Sequence, residues 1–353
     1  MKTYPGVSPF LAQGEPDDRI AQALESGVLG AIGRTPLVPL RRVLPDSRLR
    51  LYAKLEGMNP GGSAKDRPAL SILRRGIQAG AIRRDTVVVE SSSGNMGIGL
   101  AQACLYLGLR FVCVVDARTT VQHVQILRAY GAEVDVVREP DPATGEFLPA
   151  RLSRVRELMD AFGSTFWPNQ FANEGNPASH YEGTMREIAV ELEGEVDYVF
   201  CATSTCGTLR GCAEYVREHG LRTKVVAVDA LGSVIFGGPK ATRNIPGLGS
   251  GLLPEIFRPG LADHQLHVND LDCVVGCRRL VRREALLVGG SSGGVMVALE
   301  RMSSAIPDGS TCVLILCDRG ERYLDTVFSD TWVSERFGDV SHLWTGEPAG
   351  ASA

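Results

Sequence analysis

Short apolar runs alternate with longer stretches of helical periodicity along most of the chain from residue 51 onward. The runs are rich in β-branched residues and read LYAKLE, TVVVESS, FVCVVD, VDVV, DYVFCA, KVVAVD and TCVLILCD. Between them lie helical segments such as Met96–Leu107, Val121–Tyr130, His180–Leu192 and Thr208–His219. This alternation is typical of βαβ units. Because the strands are continuously apolar, we expect helices on both faces of a parallel sheet, that is, an α/β fold.

Two breaks in this pattern suggest more than one lobe. The segment Glu139–Pro149 (EPDPATGEFLP) is rich in Pro and Gly, and a second break falls at WPNQFANEGNP. The first two dozen residues and the tail after Phe337 lack periodicity, so we expect residues 1–24 and 338–353 to be flexible ends.

Composition and charge narrow the function classes. The chain has 353 residues, 44% of them apolar, and its 37 basic and 41 acidic side chains give a net charge of −4. The charges are spread evenly, so we expect no nucleic acid partner. The sequence shows no signal-peptide pattern and no run of eighteen apolar residues, which predicts a cytoplasmic protein without a membrane partner. The nine cysteines include no CxxC pair, so we expect buried free thiols rather than a metal site or a disulfide framework.

Three polar, glycine-containing loops lie where open α/β sheets bind their ligands, at the carboxyl ends of strands. They are Ser91–Gly97 (SSSGNMG), Ser204–Thr208 (STCGT) and Gly289–Gly294 (GGSSGG), and each opens a helix. Free backbone N–H groups at such positions can hold a carboxylate or a phosphate. A single loop of this kind could be only a helix cap with a tight turn. Three on one sheet suggest a ligand with two anionic ends, such as an amino acid joined to a phosphorylated cofactor. None has the GxGxxG form, which disfavours a dinucleotide.

Lys65 lies just before a helix that we expect to start near Pro68, in the segment NPGGSAKDRPAL. A lone lysine is usually a solvated surface charge. Here the small residues of Gly61–Ala64 leave room for a bulky group beside the amine, and the positive end of the helix disfavours the ammonium form. Lys65 therefore has the features that Schiff-base chemistry needs.

Taken in order, these motifs resemble the fold type II pyridoxal-phosphate enzymes of the cysteine synthase and cystathionine β-synthase family. The matching segments span about Val28 to Asp318 and read GRTPLVPL, KLEGMNPGGSAKDRPA, SSSGNMG, NQFANEGNPASHYEGT, STCGT and GGSSGG. The resemblance implies pyridoxal 5′-phosphate as cofactor, bound between two open parallel-sheet α/β lobes. It also implies a small mobile lobe at 59–165, a large lobe formed by 25–58 and 166–337, and a homodimer.

The resemblance also assigns roles to individual residues. Lys65 would bind the cofactor and act as the catalytic base, Asn95 would contact the ring oxygen, and Ser291 would contact the pyridine nitrogen. The loop for the cofactor phosphate would be Ser204, Thr205, Cys206, Gly207 and Thr208. The substrate residues would be Ser92, Ser93, Met96, Arg151 and Gln170.

Other segments resemble one branch of this family more closely: CVVDA, EPD, VAVDALGSVIFG and CDRGERYLDTVFSDTW. That branch joins O-phospho-L-serine to L-glutamate, on the way to 2,3-diaminopropionate for a siderophore or an antibiotic. Met96, which replaces a threonine of the sulfhydrylases, and the loop VDALGSVIFG would form a wider site for glutamate. In this loop Gly232, Ser233, Gly237 and Gly238 would offer backbone N–H groups to the carboxylates. Arg151 would contact the phosphate of phosphoserine, and the alternative for it is a solvated helix arginine. Three other functions stay open: an O-phosphoserine or O-acetylserine sulfhydrylase, a serine or threonine dehydratase, and a non-catalytic family member that acts as a binding partner.

Overall fold

The computed structural model describes residues 23–24 and 26–345, and the chain divides into two compact units. Of the described residues, the first unit contains those up to Ile32 and Ala69–Asn169, and the second contains Gly33–Pro68 and those from Gln170. These borders differ from the predicted ones at residues 26–32 and 166–169, which the prediction placed in the larger lobe, and at residues 59–68, which it placed in the smaller one. Backbone hydrogen bonds explain the last difference, because Ala64 N donates to Cys317 O (2.7 Å) and Arg319 N donates to Gly62 O (3.3 Å). The loop of Lys65 therefore belongs to the second unit.

Strands and helices alternate along most of the described residues. The strands are β1 (Leu37–Leu40), β2 (Arg50–Leu55), β3 (Val87–Ser91), β4 (Arg110–Asp116), β5 (Glu133–Val137), β6 (Thr165–Phe166), β7 (Tyr198–Ala202), β8 (Lys224–Ala230), β9 (His264–Val268) and β10 (Thr311–Leu316). The helices are α1 (Gly27–Gly30), α2 (Asp66–Gln78), α3 (Asn95–Leu107), α4 (Val121–Ala129), α5 (Phe147–Phe162), α6 (Gly175–Ser179), α7 (Arg186–Glu191), α8 (Gly207–Glu218), α9 (Asp270–Glu284), α10 (Gly290–Met302), α11 (Asp330–Phe337) and α12 (His342–Thr345). A π-helical segment, His180–Met185, joins α6 to α7.

Each unit is built on one sheet. In the first unit the strand order is β5-β4-β3-β6, and all neighbours are parallel. In the second unit the order is β1-β2-β10-β7-β8-β9, with β1 antiparallel to β2 and the other pairs parallel. The predicted α/β fold with parallel-sheet lobes is thus confirmed.

Both sheets carry hydrophobic core on both faces, which explains the continuously apolar strands. Along β10, Leu314 and Leu316 pack into one buried cluster, whereas Val313 and Ile315 pack into another. Strand β3 divides in the same way, with Val88 on one side and Val87 and Val89 on the other. All nine cysteines are free, and eight of them are buried, as the sequence predicts.

The C-terminal segment is more ordered than its composition suggests. Helix α12 packs on α9, where the Arg279 guanidinium donates to Leu343 O (2.9 Å) and the Arg278 guanidinium stacks 4.5 Å from the ring centre of Trp344. The prediction of a flexible tail is therefore wrong for residues 338–345. Ala23 and Leu24, at the end of the other predicted flexible segment, pack in the core of the first unit. The remaining parts of the predicted flexible ends, residues 1–22 and 346–353, lie outside the described residues. No helix among the described residues combines the length and the apolar character needed to cross a bilayer.

Candidate active site

The loop of Lys65 is fixed at the carboxyl end of β10, a central strand of the second unit. Ala64 N donates to the carbonyl of Cys317, the residue after the strand, and Ser63 forms an isolated bridge with Asp318. Lys65 itself is half-buried, directly precedes α2, and donates its backbone N–H to Ser63 Oγ (3.2 Å). This is the edge of a parallel sheet at which ligands bind.

The glycines before Lys65 make room for protein groups. A Cβ atom on Gly61 would lie 2.6 Å from Asp66 Oδ1, and one on Gly62 would lie 2.9 Å from Arg322 Nη2. Gly62 also has a φ of +85°, which favours glycine. The sequence interpretation took both residues as space for a bulky ligand. The structure corrects it, because the Asp66 carboxylate and the Arg322 guanidinium fill that space.

Buried charges lie behind this loop. Arg67 donates from Nε to Glu56 Oε2 (2.6 Å) and from Nη1 to Glu187 Oε1 (2.7 Å). The Lys54 ammonium, which is 1% exposed, lies 2.8 Å from Glu187 Oε2. These contacts hold the pKa of Glu187 near 2, mainly through Arg67 and against the effect of burial. The pairs tie the start of α2 to strand β2 and helix α7.

The loop Ser204–Thr208 joins β7 to α8 in a tight turn. Cys206 has a φ of +68°, the left-handed conformation, and Gly207 begins the helix. A Cβ atom on Gly207 would lie 1.9 Å from Asn176 Oδ1, so only glycine fits there. Asn176 Nδ2 donates to Gln170 O (2.8 Å) and Thr205 Oγ1 (3.0 Å), which ties the loop to the segment around Gln170.

This loop suits a phosphate group. It presents backbone N–H groups at the start of a 12-residue helix together with the hydroxyls of Ser204, Thr205 and Thr208. The N-cap residue Cys206 supplies no side-chain cap to α8, and Gly207 N donates to Thr205 Oγ1 at 3.5 Å, a long contact that an anion can replace. The donor set therefore fits the phosphate of pyridoxal phosphate.

Ser291 lies in the first turn of α10, close to the end of β10 on which the Lys65 loop is also fixed. Its neighbour Ser292 accepts a hydrogen bond from Cys317 N (2.9 Å), which docks the helix on the end of β10. Burial raises the pKa of the Cys317 thiol to about 12, while the Lys65 charge and a hydrogen bond with Ser291 oppose that rise. Lys65 and Ser291 are thus both neighbours of one thiol.

The first unit holds the other predicted residues. Ser92 Oγ accepts from Gly97 N (2.9 Å), so this buried hydroxyl serves the turn into α3. Ser93 and Asn95 are half-buried at the start of that helix. Met96 is 2% exposed and packs in the hydrophobic core of this unit. Its assignment to a substrate site is therefore corrected, because its side chain faces the core.

Arg151 projects from the first turns of α5 towards the end of β4. Its Nε atom lies 3.4 Å from Asp116 Oδ2, and its side chain is 12% exposed. Burial lowers the pKa of Arg151, and Asp116, Cys113 and Glu90 oppose that change. The alternative of a solvated helix arginine is therefore wrong.

The sequence reasoning missed two buried polar residues next to the phosphate loop, His180 and Asn176. Both lie in NEGNPASHYEGT, which carried part of the resemblance, but neither received a role. Nothing local in the sequence pairs His180 with Thr208, because 28 positions and a strand separate them.

Comparisons with a family model and with solved structures found similar proteins. A family model described as pyridoxal-phosphate dependent enzyme matches residues 28–318. The structure of an O-ureido-L-serine synthase is similar with a TM-score of 0.80 and 30% identity, covering 88% of this chain and 99% of that chain. An O-acetylserine dependent cystathionine β-synthase from Helicobacter pylori has a TM-score of 0.79 and 31% identity over 85% of this chain and 97% of its own. A hydrogen sulfide-producing enzyme from Fusobacterium nucleatum has a TM-score of 0.79 and 35% identity over 85% and 99%.

Proposed function

Since the chain belongs to the family of pyridoxal-phosphate-dependent enzymes, we propose that it joins O-phospho-L-serine to L-glutamate by β-replacement. The products are N-(2-amino-2-carboxyethyl)-L-glutamate, a precursor of 2,3-diaminopropionate, and phosphate. Its structural neighbours are β-replacement enzymes of the cysteine-synthase type, so the reaction class is that of the family. The choice of the two substrates is the proposal.

Pyridoxal phosphate, when bound, supplies the electron sink that lets an amino acid lose its Cα proton and a substituent at Cβ. Lys65 holds the cofactor and moves the proton at Cα of phosphoserine. Thr205 and Thr208 bind the cofactor phosphate with the rest of their loop. Ser291 offers an uncharged hydroxyl to the pyridine nitrogen, which favours elimination and replacement over transamination. In this proposal Ser93 binds the substrate and Asn95 binds the cofactor.

The proposal that glutamate is the nucleophile rests on the loop 231–251. This loop borders the proposed cofactor site, since Gly249 N donates to Thr203 O (2.7 Å), directly before Ser204. A Cβ atom on Gly251 would lie 3.6 Å from Lys240 Nζ and 3.5 Å from Arg243 Nη2. Two cationic groups therefore converge on one glycine. Glutamate brings two carboxylates that need such groups, whereas sulfide needs none.

The loop also corrects one detail of the sequence interpretation. Ser233 was expected to present its backbone to glutamate. Instead Ser233 is 1% exposed, its backbone N–H donates to Ala230 O (3.0 Å), and its hydroxyl accepts a hydrogen bond from Ser250 N (3.1 Å). Ser233 thus braces the loop from within.

The function is tested by product analysis. With phosphoserine as donor, we expect L-glutamate to be consumed one for one with phosphate release, and mass spectrometry should find the joined product. L-Glutamine, which lacks the side-chain charge, should be a poor substitute, and so should sulfide. Efficient cysteine formation without glutamate consumption would return the protein to the sulfhydrylases. Phosphoserine binding without turnover of any nucleophile would favour the non-catalytic alternative.

Lys240→Gln tests the nucleophile site directly. We expect the KM for glutamate to rise roughly tenfold, the effect of about 1.4 kcal/mol, with little change in the KM for phosphoserine. The matched control is Lys224→Gln, which alters an exposed lysine paired with Asp263. An unchanged glutamate KM in Lys240→Gln would remove this residue from the site. The proposed homodimer is checked on the same preparations by light scattering.

A further inference from the structure

His180 lies beneath the start of α8 and is fully buried. Its Nδ1 atom is 2.9 Å from Thr184 Oγ1, and its Nε2 atom is 3.2 Å from Thr208 Oγ1. Both hydroxyls are buried as well. The imidazole therefore links a threonine of the π-helical segment to a threonine of the phosphate loop.

The packing that brings His180 to α8 depends on a glycine. A Cβ atom on Gly211 would lie 2.3 Å from Pro177 O and 2.7 Å from His180 Cβ. Any larger residue at 211 would push the π-helical segment away from α8. The approach of the imidazole to Thr208 is thus set by main-chain packing.

The imidazole is neutral. Burial lowers the pKa of His180 well below its ordinary value, and the charges of Lys65 and Arg67 lower it further, against Glu187. A neutral imidazole has one N–H donor and one acceptor nitrogen. The two hydrogen bonds of the ring, to Thr184 and to Thr208, therefore have only two possible donor–acceptor arrangements. Each arrangement requires a different tautomer of His180.

A phosphate dianion offers only acceptors, so Thr208 must donate its hydroxyl hydrogen to it. The Thr208 oxygen then accepts from the ring, the ring carries its hydrogen on Nε2, and Nδ1 accepts from the Thr184 hydroxyl. We propose that His180 is a positioning residue in the Nε2–H tautomer, which donates to Thr208 and so aims the Thr208 hydroxyl at the cofactor phosphate. This inference rests on the proposed role of the loop Ser204–Thr208.

The tautomer can be observed directly by nitrogen NMR of holoenzyme labelled in its six histidines. The signal that disappears in His180→Gln identifies the residue. We expect Nε2 to carry the hydrogen and Nδ1 to have the shift of an unprotonated nitrogen. The opposite tautomer, or a charged ring, overturns the proposal even when the holoenzyme carries its cofactor. Failure of the purified protein to bind pyridoxal phosphate would instead overturn the proposed phosphate-binding role of the loop Ser204–Thr208 and, with it, this inference.

Cofactor exchange on the holoenzyme separates positioning from a merely structural role. A glutamine amide can donate to Thr208 and accept from Thr184, so His180→Gln should keep the affinity for pyridoxal phosphate within about threefold. His180→Leu and Thr184→Val should weaken it by roughly tenfold or more. Binding of pyridoxal, which lacks the phosphate, should be unchanged in all three. Equal losses for pyridoxal and pyridoxal phosphate would contradict the proposal. The control, His264→Gln, replaces an exposed histidine of β9.

Discussion

Arg151 is paired more weakly than its burial would suggest. Its Nε and Nη1 atoms are buried and form no hydrogen bond, although Asp116 lies 3.4 Å away. A buried guanidinium N–H without an acceptor costs free energy unless a ligand meets it. A phosphate would supply the missing acceptors, which supports the proposed contact with phosphoserine.

Arg151→Ala tests that contact. We expect the KM for phosphoserine to rise by a factor of about ten to one hundred, because a charge-assisted hydrogen bond is lost. Cofactor absorbance should stay normal. Arg154→Ala is the control, since Arg154 lies on the same helix but pairs with Asp135 and Glu157 near the surface. Equal phosphoserine kinetics in both variants would discard Arg151 as a substrate residue and leave the reaction class untouched.

Residues whose role depends on a local motif could be predicted, and residues whose role depends on packing could not. The position of Lys65 before α2 follows from SAKDRP alone. Met96 follows an asparagine in a loop motif, yet the first turn of α3 directs its side chain into the core. Asp66 is adjacent to the lysine in sequence, but its contact with Gly61 depends on the fold of the loop.

Long buried strands were the most predictable elements. All seven runs named from the sequence are strands. Six of them lie inside a sheet, where burial on both faces demands continuous apolar residues, and the seventh, β5, is a partly buried edge strand. The strands that were missed lie at sheet edges. β1 contains Pro39, β6 has two residues, and β9 (HQLHV) is polar with only its last residue buried. An edge strand buries less, so it leaves a weaker pattern.

Helices α9 and α10 cross in close contact, which makes a prediction about stability possible. Gly276 and Gly293 let the two backbones touch, since a Cβ atom on Gly293 would lie 2.1 Å from Cys273 O. We expect Gly293→Ala to lower the unfolding free energy by about 3 kcal/mol, as severe overpacking does. Urea unfolding measures the unfolding free energy of the variant and of the parent protein. Gly94→Ala is the control, because a Cβ atom there would meet nothing within 4 Å. Similar stability of the two variants would mean that the helices shift apart freely.

The buried carboxyl of Asp66 and the partly buried one of Glu187 make the stability of the molecule depend on pH with opposite signs. Burial raises the pKa of Asp66 from 3.8 to about 7, whereas Arg67 and Lys54 lower that of Glu187 from 4.5 to about 2. The contribution of Glu187 is present above its unfolded pKa and is lost as pH falls through 2. Asp66 acts in the other direction. Its folded form holds a proton that the unfolded chain releases, so stability falls as pH rises from about 4 to 7.

Glu187→Gln should remove the stabilisation that the Glu187 carboxylate provides above its unfolded pKa. Near neutral pH we expect a loss of about 3 kcal/mol in unfolding free energy, shrinking towards zero as pH approaches about 2. The matched control is Glu191→Gln, an exposed position on the same helix α7. Denaturant unfolding across the acid range measures both variants. A loss that stays constant down to the lowest pH would show that the stabilisation comes from packing rather than from charge.

Asp66→Asn should remove the fall in stability that Asp66 causes as the pH rises from about 4 to 7. The asparagine oxygen can still accept the hydrogen bond from Gly61 N, which Asp66 Oδ2 accepts at 2.5 Å, but it carries no charge to desolvate. Above about pH 8 we therefore expect the variant to be more stable than the parent, by an amount on the order of 4 kcal/mol at most. Below about pH 4 the two should be equal. Asp263→Asn, at an exposed carboxylate that accepts from Val225 N, controls for the substitution itself. If the parent loses no stability between about pH 4 and pH 7, the buried carboxyl of Asp66 is not protonated there, and its charge must be held by Arg322, which donates to Gly61 O in the same loop.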